Sequence, residues 1–346
     1  MNKIVVHRPG GFARLQLEEH PTPEPAHDEV RVTTRAIGVN YADCIVRLGL
    51  YKSARDFVGW PITPGFEFAG EVSAVGSSVG TFSVGDAVFG VSLFGAYASE
   101  VITKAAFLRR IPRGLSMTQA ATFPVAFLTA WYGLRELARV SEGQHVLVHS
   151  AAGGVGSALC QLARAHGAHA LGVVGSQRKI AHATEQGASV VVDKSSEDLW
   201  QRAKTFAPKG FDAVFDANGA DTLRQSYLHL RPMGRLIIYG FHSMMSHGGI
   251  PNPLRLLLQY LRTPRFNPLE MVDRNAAVLA FNLSYLFEQV SLFDMAMSEL
   301  VEKLERGVLQ PLPAVEHPLS RAGDAHRQIQ SGRTVGKLAL IPDRTD

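Results

Sequence analysis

The chain has 346 residues, 46% apolar and 19% charged, the balance of a soluble globular protein long enough for two domains. Lys and Arg exceed Asp and Glu only by 35 to 31, and no long basic block occurs, which argues against nucleic acid as the partner. Two widely separated cysteines, Cys44 and Cys160, with no CxxC, argue against a disulfide framework and a thiolate zinc site.

The N-terminus, MNKIVVHRPGG, lacks the apolar core of a signal peptide. The longest late apolar patch, Leu254 to Leu261, is interrupted by Arg255 and Gln259 and is far shorter than the roughly 20 residues that span a bilayer. A soluble cytoplasmic protein is the expectation. The first third reads as β-rich. Val30 to Ala36 alternates apolar and polar residues, as a half-buried strand does. Phe68 to Val75, Asp86 to Gly90 and Gly95 to Ile102 are further candidate strands between glycines. This spacing suggests a compact β-barrel or sandwich. Ser116 and Gln119 can form a capping box that opens a helix, which Pro124 should break or kink.

From residue 144 to 240 strands and helices alternate. The strands are HVLVHS, HALGVV, SVVVD, FDAVFD and RLIIYG; helices are expected near 155–166, 177–186, 197–206 and 221–230. Near-continuous apolar strands alternating with helices mean a parallel sheet covered on both faces. AVLAF supplies one more strand, residues 293–306 and 322–331 read as helices, and PLPAVEHPL and KLALI as closing strands.

The first strand of this series runs into Ala151-Ala152-Gly153-Gly154-Val155-Gly156, a variant of GxGxxG. Gly153 lets the backbone approach a pyrophosphate, and Gly156 lets the helix pack closely on the sheet. The helix N-terminus then offers N–H groups and partial positive charge to phosphates. NAD-selective sites carry an acid about 20 residues on, at the end of the second strand. Here that strand ends Val174-Gly175-Ser176-Gln177-Arg178-Lys179, without an acid. Ser176 with Lys179 or Arg178 suits a 2′-phosphate, which favours NADPH. The alternative is a solvated first turn with Ser176 as its cap. Gly76-Ser77-Ser78-Val79-Gly80 matches GxSxG, but it precedes another strand instead of a helix, so it reads as a hairpin loop. Of the thirteen histidines none lies in HExxH, and His149 is expected to satisfy a local hydrogen bond instead of a metal.

Several motifs together resemble the medium-chain dehydrogenase/reductase superfamily from end to end. They are Gly38-Val39-Asn40-Tyr41-Ala42-Asp43, Gly49-Leu50-Tyr51, Pro64-Gly65-Phe66-Glu67-Phe68-Ala69-Gly70, Gly85-Asp86-Ala87-Val88 and Ala151 to Gly156. Within it the chain is similar to the zinc-independent quinone oxidoreductases, especially the group of vesicle amine transport protein 1 homologues. Phe266-Asn267-Pro268 and Val335-Gly336-Lys337-Leu338 match that group in particular.

The resemblance implies an α/β chain, with a doubly wound Rossmann domain beside a GroES-like β-barrel catalytic domain. The implied divisions are residues 1–122 for the first part of the catalytic domain, 123–272 for the NADPH-binding domain, and 273–346 for the last Rossmann strand and the return. Zinc-using relatives place a cysteine where Asn40 stands, a histidine where Phe66 stands, and a four-cysteine structural loop that this chain lacks. The resemblance therefore implies no metal.

It also implies that Asn40 and Tyr41 lie near the nicotinamide and that Tyr51 lines the substrate cleft. Ala152, Gly153, Gly154 and Val155 would meet the pyrophosphate, and Ser176 and Lys179 the 2′-phosphate. Asn218 would fall near the nicotinamide-side ribose. Gly240, Phe241, Phe281 and Asn282 would flank the nicotinamide; Thr129 and Lys337 complete the cofactor set. Lys194 stands where relatives often have tyrosine, and either adds charge near the 2′-phosphate or is a plain exposed lysine.

The implied reaction is hydride transfer from C4 of NADPH to a quinone or an electron-poor alkene in a dry cleft between the domains. Tyr41 or Tyr51 either hydrogen-bonds the substrate oxygen and relays a proton or packs at the cleft wall. A homodimer through the edge strands of the nucleotide domains is also implied. The alternative is an NADPH-binding regulatory or membrane-associated protein with little turnover. Its distinguishing feature is the apolar Pro251 to Met271 segment, read as a loop that covers the cleft, forms an oligomer contact or touches a membrane surface, with core or lid packing preferred.

Overall fold

The structure is a computed structural model and describes residues 1–242 and 252–343. In chain order its strands are β1 (Asn2–Val5), β2 (Gln16–Glu19), β3 (Glu29–Val39), β4 (Glu67–Val75), β5 (Ala87–Val91), β6 (Glu100–Lys104), β7 (Leu108–Arg110), β8 (His145–Val148), β9 (His169–Val174), β10 (Val190–Asp193), β11 (Phe211–Asp216), β12 (Leu230–Ile238), β13 (Ala277–Ala280), β14 (Ala314–Pro318) and β15 (Lys337–Ile341). The helices are α1 (Tyr41–Arg47), α2 (Lys52–Phe57), α3 (Met117–Ala121), α4 (Pro124–Trp131), α5 (Gly154–Ala165), α6 (Ile180–Glu185), α7 (Leu199–Phe206), α8 (Leu223–Leu228), α9 (Pro253–Arg262), α10 (Pro268–Arg274), α11 (Val290–Glu305) and α12 (Ala322–Gln330).

The described residues divide into two compact units, 1–128 with 284–343, and 129–242 with 252–283. In the first unit the main sheet runs β14-β15-β3-β4-β5-β7. Its longest strand, β3, serves three partners: β4 along one side, and β6 and β15 at successive stretches of the other. The alternation noted over residues 30–36 is what this needs, because one face packs into a core of Val30, Val32, Phe68, Val72 and Tyr97. The candidate strand at 95–102 is displaced to β6. Phe94 and Gly95 both take left-handed backbone angles, so the chain turns there before it can pair.

In the second unit the sheet order is β10-β9-β8-β11-β12-β13, with every pairing parallel. This is the doubly wound order, which reverses direction between β8 and β11. Its strands read as apolar runs because both faces are covered; Leu147, Leu171, Val192, Val214 and Leu236 pack in one cluster.

GSSVG lies between β4 and β5 with no helix after it, so it is a strand connection. The Pro251–Met271 segment departs from the expected loop. Pro251 lies outside the described residues, and the rest forms α9 and α10, each capped by an asparagine that accepts from the backbone, with proline at the first turn. Core packing is shown by part of the segment: Phe266 and Met271 lie against the apolar cluster of the second unit, with the Phe266 ring 5.1 Å from that of Tyr227. Leu254, Leu257, Leu258, Tyr260 and Leu261 of α9 and Leu269 and Val272 of α10 are exposed. Gln259 of α9 is buried.

The capping box at Ser116 forms as read: Ser116 N donates to Gln119 Oε1 at 3.0 Å, and Gln119 N to Ser116 Oγ at 3.2 Å. Pro124 then begins a new helix. Ser116→Ala removes the acceptor for a helix N–H and should cost about 1 kcal/mol of stability, measured by urea unfolding.

Candidate active site

Because all six strands of the second unit point the same way, the residue after each strand falls on one edge of the sheet. Gly153 follows β8, Ser176 follows β9, Lys194 follows β10, Asn218 follows β11, Gly240 and Phe241 follow β12, and Phe281 and Asn282 follow β13. Residues spread over more than a hundred positions thus share one edge, the carboxyl edge, where doubly wound sheets receive ligands. Thr129 lies apart from that set, half-buried in α4.

The glycine turn is built for close approach. A Cβ on Gly156 would lie 2.3 Å from Ser150 O, so only glycine lets α5 lie this close to the turn. At Gly153 an added Cβ would meet nothing nearer than Ser150 O at 3.4 Å, so the space before the turn is open among the described residues. Ala151 and Ala152 are buried beneath, while Gly153, Gly154 and Val155 are half-buried. Gly153 caps α5 without a side-chain acceptor, which leaves the first N–H groups of the helix for a ligand.

At the ends of β9 and β10 three cations gather. Burial, then Arg178 and Lys194, lower the Lys179 ammonium from its ordinary value. Lys194 is exposed, and its backbone N–H bonds Val174 O at 3.0 Å, which holds the two strand ends together. The acid at the end of β10, Asp193, is turned inward on Ser195, whose backbone and hydroxyl it accepts at 2.9 and 2.7 Å. Like charges gathered at this edge, with Asp193 engaged by Ser195, are chemistry suited to an anionic group.

Asn218 is held from two sides. Its backbone N–H donates to Asp216 Oδ1 at 2.8 Å, and its side-chain oxygen accepts from Ser150 Oγ at 3.1 Å. Asp216, fully buried, also accepts from Gly219 N, from Thr222 Oγ1 at 3.0 Å and, on Oδ2, from Ser226 Oγ at 2.8 Å. Ser226 gives its proton to Asp216, so it must accept from His149 Nε2, 3.0 Å away. Burial lowers the His149 pKa against the attraction of Asp216 and keeps the ring neutral. His149 thus serves a local network, as expected. Phe281 packs against Tyr132 and Tyr239 with centroids at 5.0 and 6.3 Å.

In the first unit Asn40 precedes α1 and is 9% exposed. Its Nδ2 donates to Glu67 Oε1 at 2.8 Å, and its Oδ1 accepts from Lys337 Nζ at 2.6 Å. Tyr41 is half-buried, and desolvation raises its phenol well above the ordinary value, so it stays a neutral group. Tyr51 caps α2 and shares a hydrogen bond of 3.1 Å with Ser284. Its ring meets Phe66 and Phe94 edge-on at 5.9 and 6.3 Å. These side chains form an aromatic wall with one hydroxyl on it.

Glu67, Asp43 and Asp216 hold positions that their local motifs do not explain. The usable signal was an acid inside an otherwise apolar run, since a buried carboxylate is retained only with partners. Asp43 is fully buried and accepts from Asn40 N at 2.7 Å, Gly65 N at 3.2 Å and Tyr97 OH at 3.0 Å. It thereby joins the loops that carry Asn40 and Phe66. Arg47 donates to His326 Nδ1, so His326 Nε2 carries the proton and donates to Tyr97, which passes its own to Asp43. Burial and Arg47 push His326 down to about 3, so the ring is neutral.

The donor set does not fit a catalytic zinc. Asn40 and Phe66 supply neither thiolate nor imidazole, and among the described residues no group of three His, Cys, Asp or Glu could hold a metal.

Two family models match the chain: "Alcohol dehydrogenase GroES-like domain" over residues 26–113 and "Zinc-binding dehydrogenase" over 154–265. The "Synaptic vesicle membrane protein VAT-1 homolog" of Mus musculus is 32% identical over 341 residues, 96% of this chain and 82% of that protein. The crystal structure of Escherichia coli quinone oxidoreductase complexed with NADPH superposes with a TM-score of 0.86 at 31% identity, covering 99% of this chain and 100% of that one. The CurK enoyl reductase crystal structure superposes at 0.85 with 26% identity, covering 99% of each chain.

Desolvation raises Asp43 to about 7, above its hydrogen bonds' opposing pull. Between pH 4 and 7 the folded protein therefore holds a proton that the unfolded chain has released. Stability should fall as pH rises through that window, by up to about 1.4 kcal/mol per pH unit from this group. Urea midpoints across the window should show a shallower slope in Asp43→Asn than in the parent.

Proposed function

The chain belongs to the medium-chain dehydrogenase/reductase superfamily, and from that premise we propose that it is a zinc-independent, NADPH-dependent oxidoreductase acting on a quinone or an electron-poor alkene. The observation that carries this reading is the shared carboxyl edge of the parallel sheet, with an open glycine turn at its centre and a cluster of three cations beside it. The residues there fit NADPH. The amides opening α5, with Ala152, Gly153, Gly154 and Val155, would hold the diphosphate. Ser176, Lys179, Arg178 and Lys194 would hold the 2′-phosphate, and Asn218 a ribose hydroxyl. Gly240, Phe241, Phe281, Asn282 and Thr129 are the proposed nicotinamide-side contacts.

Bound NADPH supplies the hydride, and the protein supplies position and a dry surface. Tyr51 is the better-placed group to meet the substrate oxygen. Its hydroxyl stands on an aromatic wall and is already oriented by Ser284, so it can donate to an oxygen that gains negative charge. Tyr41 is a phenol whose pKa burial raises, so it is present as a neutral hydrogen-bonding group. The flat faces of Tyr51, Phe66 and Phe94 suit a planar conjugated acceptor.

A specific observation keeps a second reading in view: the exposed leucines of α9. Among the described residues no helix is long and apolar enough to cross a membrane, so contact with a bilayer would have to be interfacial. NADPH binding without oxidation by any quinone or enone, together with co-sedimentation with vesicles, would favour that reading.

Purified protein should oxidise NADPH with quinones or enones and bind it by calorimetry; no binding at all would overturn the reading. Lys179→Glu and Lys194→Glu should each lower kcat/KM for NADPH roughly tenfold, the worth of one charge-assisted hydrogen bond, and spare NADH. We also propose a homodimer. β13 is an edge strand with only β12 beside it among the described residues, an open row of backbone groups for a second copy. Sedimentation equilibrium should give twice the 37.6 kDa chain mass.

A further inference from the structure

Two side chains of opposite charge type in the first unit are buried against each other. Glu67 is fully buried and Lys337 is 4% exposed, and their charged atoms lie 2.8 Å apart. Burying such a pair gains little stability over a well-packed apolar pair, so its retention calls for another task.

The backbone shows how they meet. β4 and β15 flank β3, with Phe68 opposite Ile37 and Leu338 opposite Val39. Glu67 and Lys337 each open their strand, so both come alongside the end of β3 at Asn40. A Cβ on Gly38 would lie 2.3 Å from Glu67 Oε1, so the glycine of GVNYAD makes the room for this carboxylate.

An ammonium has three N–H donors. Lys337 Nζ has three acceptors: Val39 O at 3.0 Å, Asn40 Oδ1 at 2.6 Å and Glu67 Oε1 at 2.8 Å. No donor is left for a cofactor. Glu67 is similarly engaged. Oε1 takes Lys337 and Asn40 Nδ2, and Oε2 takes Val125 N at 2.7 Å in the first turn of α4. Both ends of the Asn40 amide therefore face a full charge of opposite polarity. Turning the amide over would aim its N–H at the ammonium and its oxygen at the carboxylate, both repulsive in a site of low dielectric.

We propose that Glu67 and Lys337 are a positioning pair that locks the Asn40 amide in one orientation. The second N–H of Nδ2 and the remaining lone pair of Oδ1 are thereby held ready for the carboxamide end of the nicotinamide. The proposal rests on the reading of Asn40 as a nicotinamide contact. It moves Lys337 from the set of cofactor contacts to a residue acting through Asn40.

The test separates the lock from the reaction. In the parent, the two Asn40 Hδ2 resonances, assigned by their loss in Asn40→Asp, should be well separated and slow to exchange with solvent. In Lys337→Met they should move toward the positions of exposed amides and exchange at least about tenfold faster. The doubly neutral Glu67→Gln/Lys337→Met leaves no lone buried charge and should give the same spectrum in a folded chain, which guards against failure of the single variant to fold. With NADPH, Asn40→Ala and Lys337→Met should each weaken binding roughly five- to tenfold, and the double Asn40→Ala/Lys337→Met no further than about twofold beyond either. Unmoved Asn40 Hδ2 resonances in the two Lys337 variants, or losses that multiply, would overturn the proposal. Absence of NADPH binding by the parent would instead overturn the functional reading, while the amide spectrum would still decide whether the lock exists.

Discussion

The common direction of six hydrogen-bonded strands is the constraint on which the rest depends. Parallel pairing from β10 through β13 forces every βα connection in the second unit to turn at the same edge. The reversal between β8 and β11 then opens a gap in the helix cover where the glycine turn sits. A ligand at that edge would meet the helix N-terminus, the cations after β9 and β10, and Asn218 after β11 without any of these being neighbours in the chain. Function can be concentrated there because the sheet does the gathering.

Within that frame, buried carboxylates hold the loops. Asp216 holds the turn that carries Asn218, Asp43 joins the Asn40 and Phe66 loops, and Glu67 pairs with Lys337 on the Asn40 amide. A carboxylate away from water is costly unless several donors meet it. Once satisfied, its strong, short hydrogen bonds leave the surrounding loops few alternative conformations. Each of these acids acts on a residue proposed to meet the cofactor, and that division between contact and support recurs in both units.

Much of the architecture was legible beforehand. Alternating apolar periods marked β3, continuous apolar runs marked β8 to β12, and Ser116 with Gln119 marked a helix start that forms as read. Two misreadings have clear causes. The Gly95–Ile102 segment reads as a strand among glycines, but a left-handed turn at Phe94 and Gly95 delays the start of β6 to Glu100. The Pro251–Met271 segment reads as an apolar loop, yet its described part forms α9 and α10. Both Pro253 and Pro268 stand at first helical positions, where a missing N–H costs nothing.

The sequence by itself determined local features: a glycine turn after a strand, no acid at the end of the next strand, and asparagine and phenylalanine at positions 40 and 66. Those are local properties, set by residue type and short spacing. Only the tertiary structure decided what Lys337 and Glu67 do, because 270 residues separate them and nothing in either strand refers to the other. Their meeting depends on the register of β15 and β4 against β3. Their strength depends on exclusion of water, and burial is a property of the whole fold that no short stretch of sequence contains.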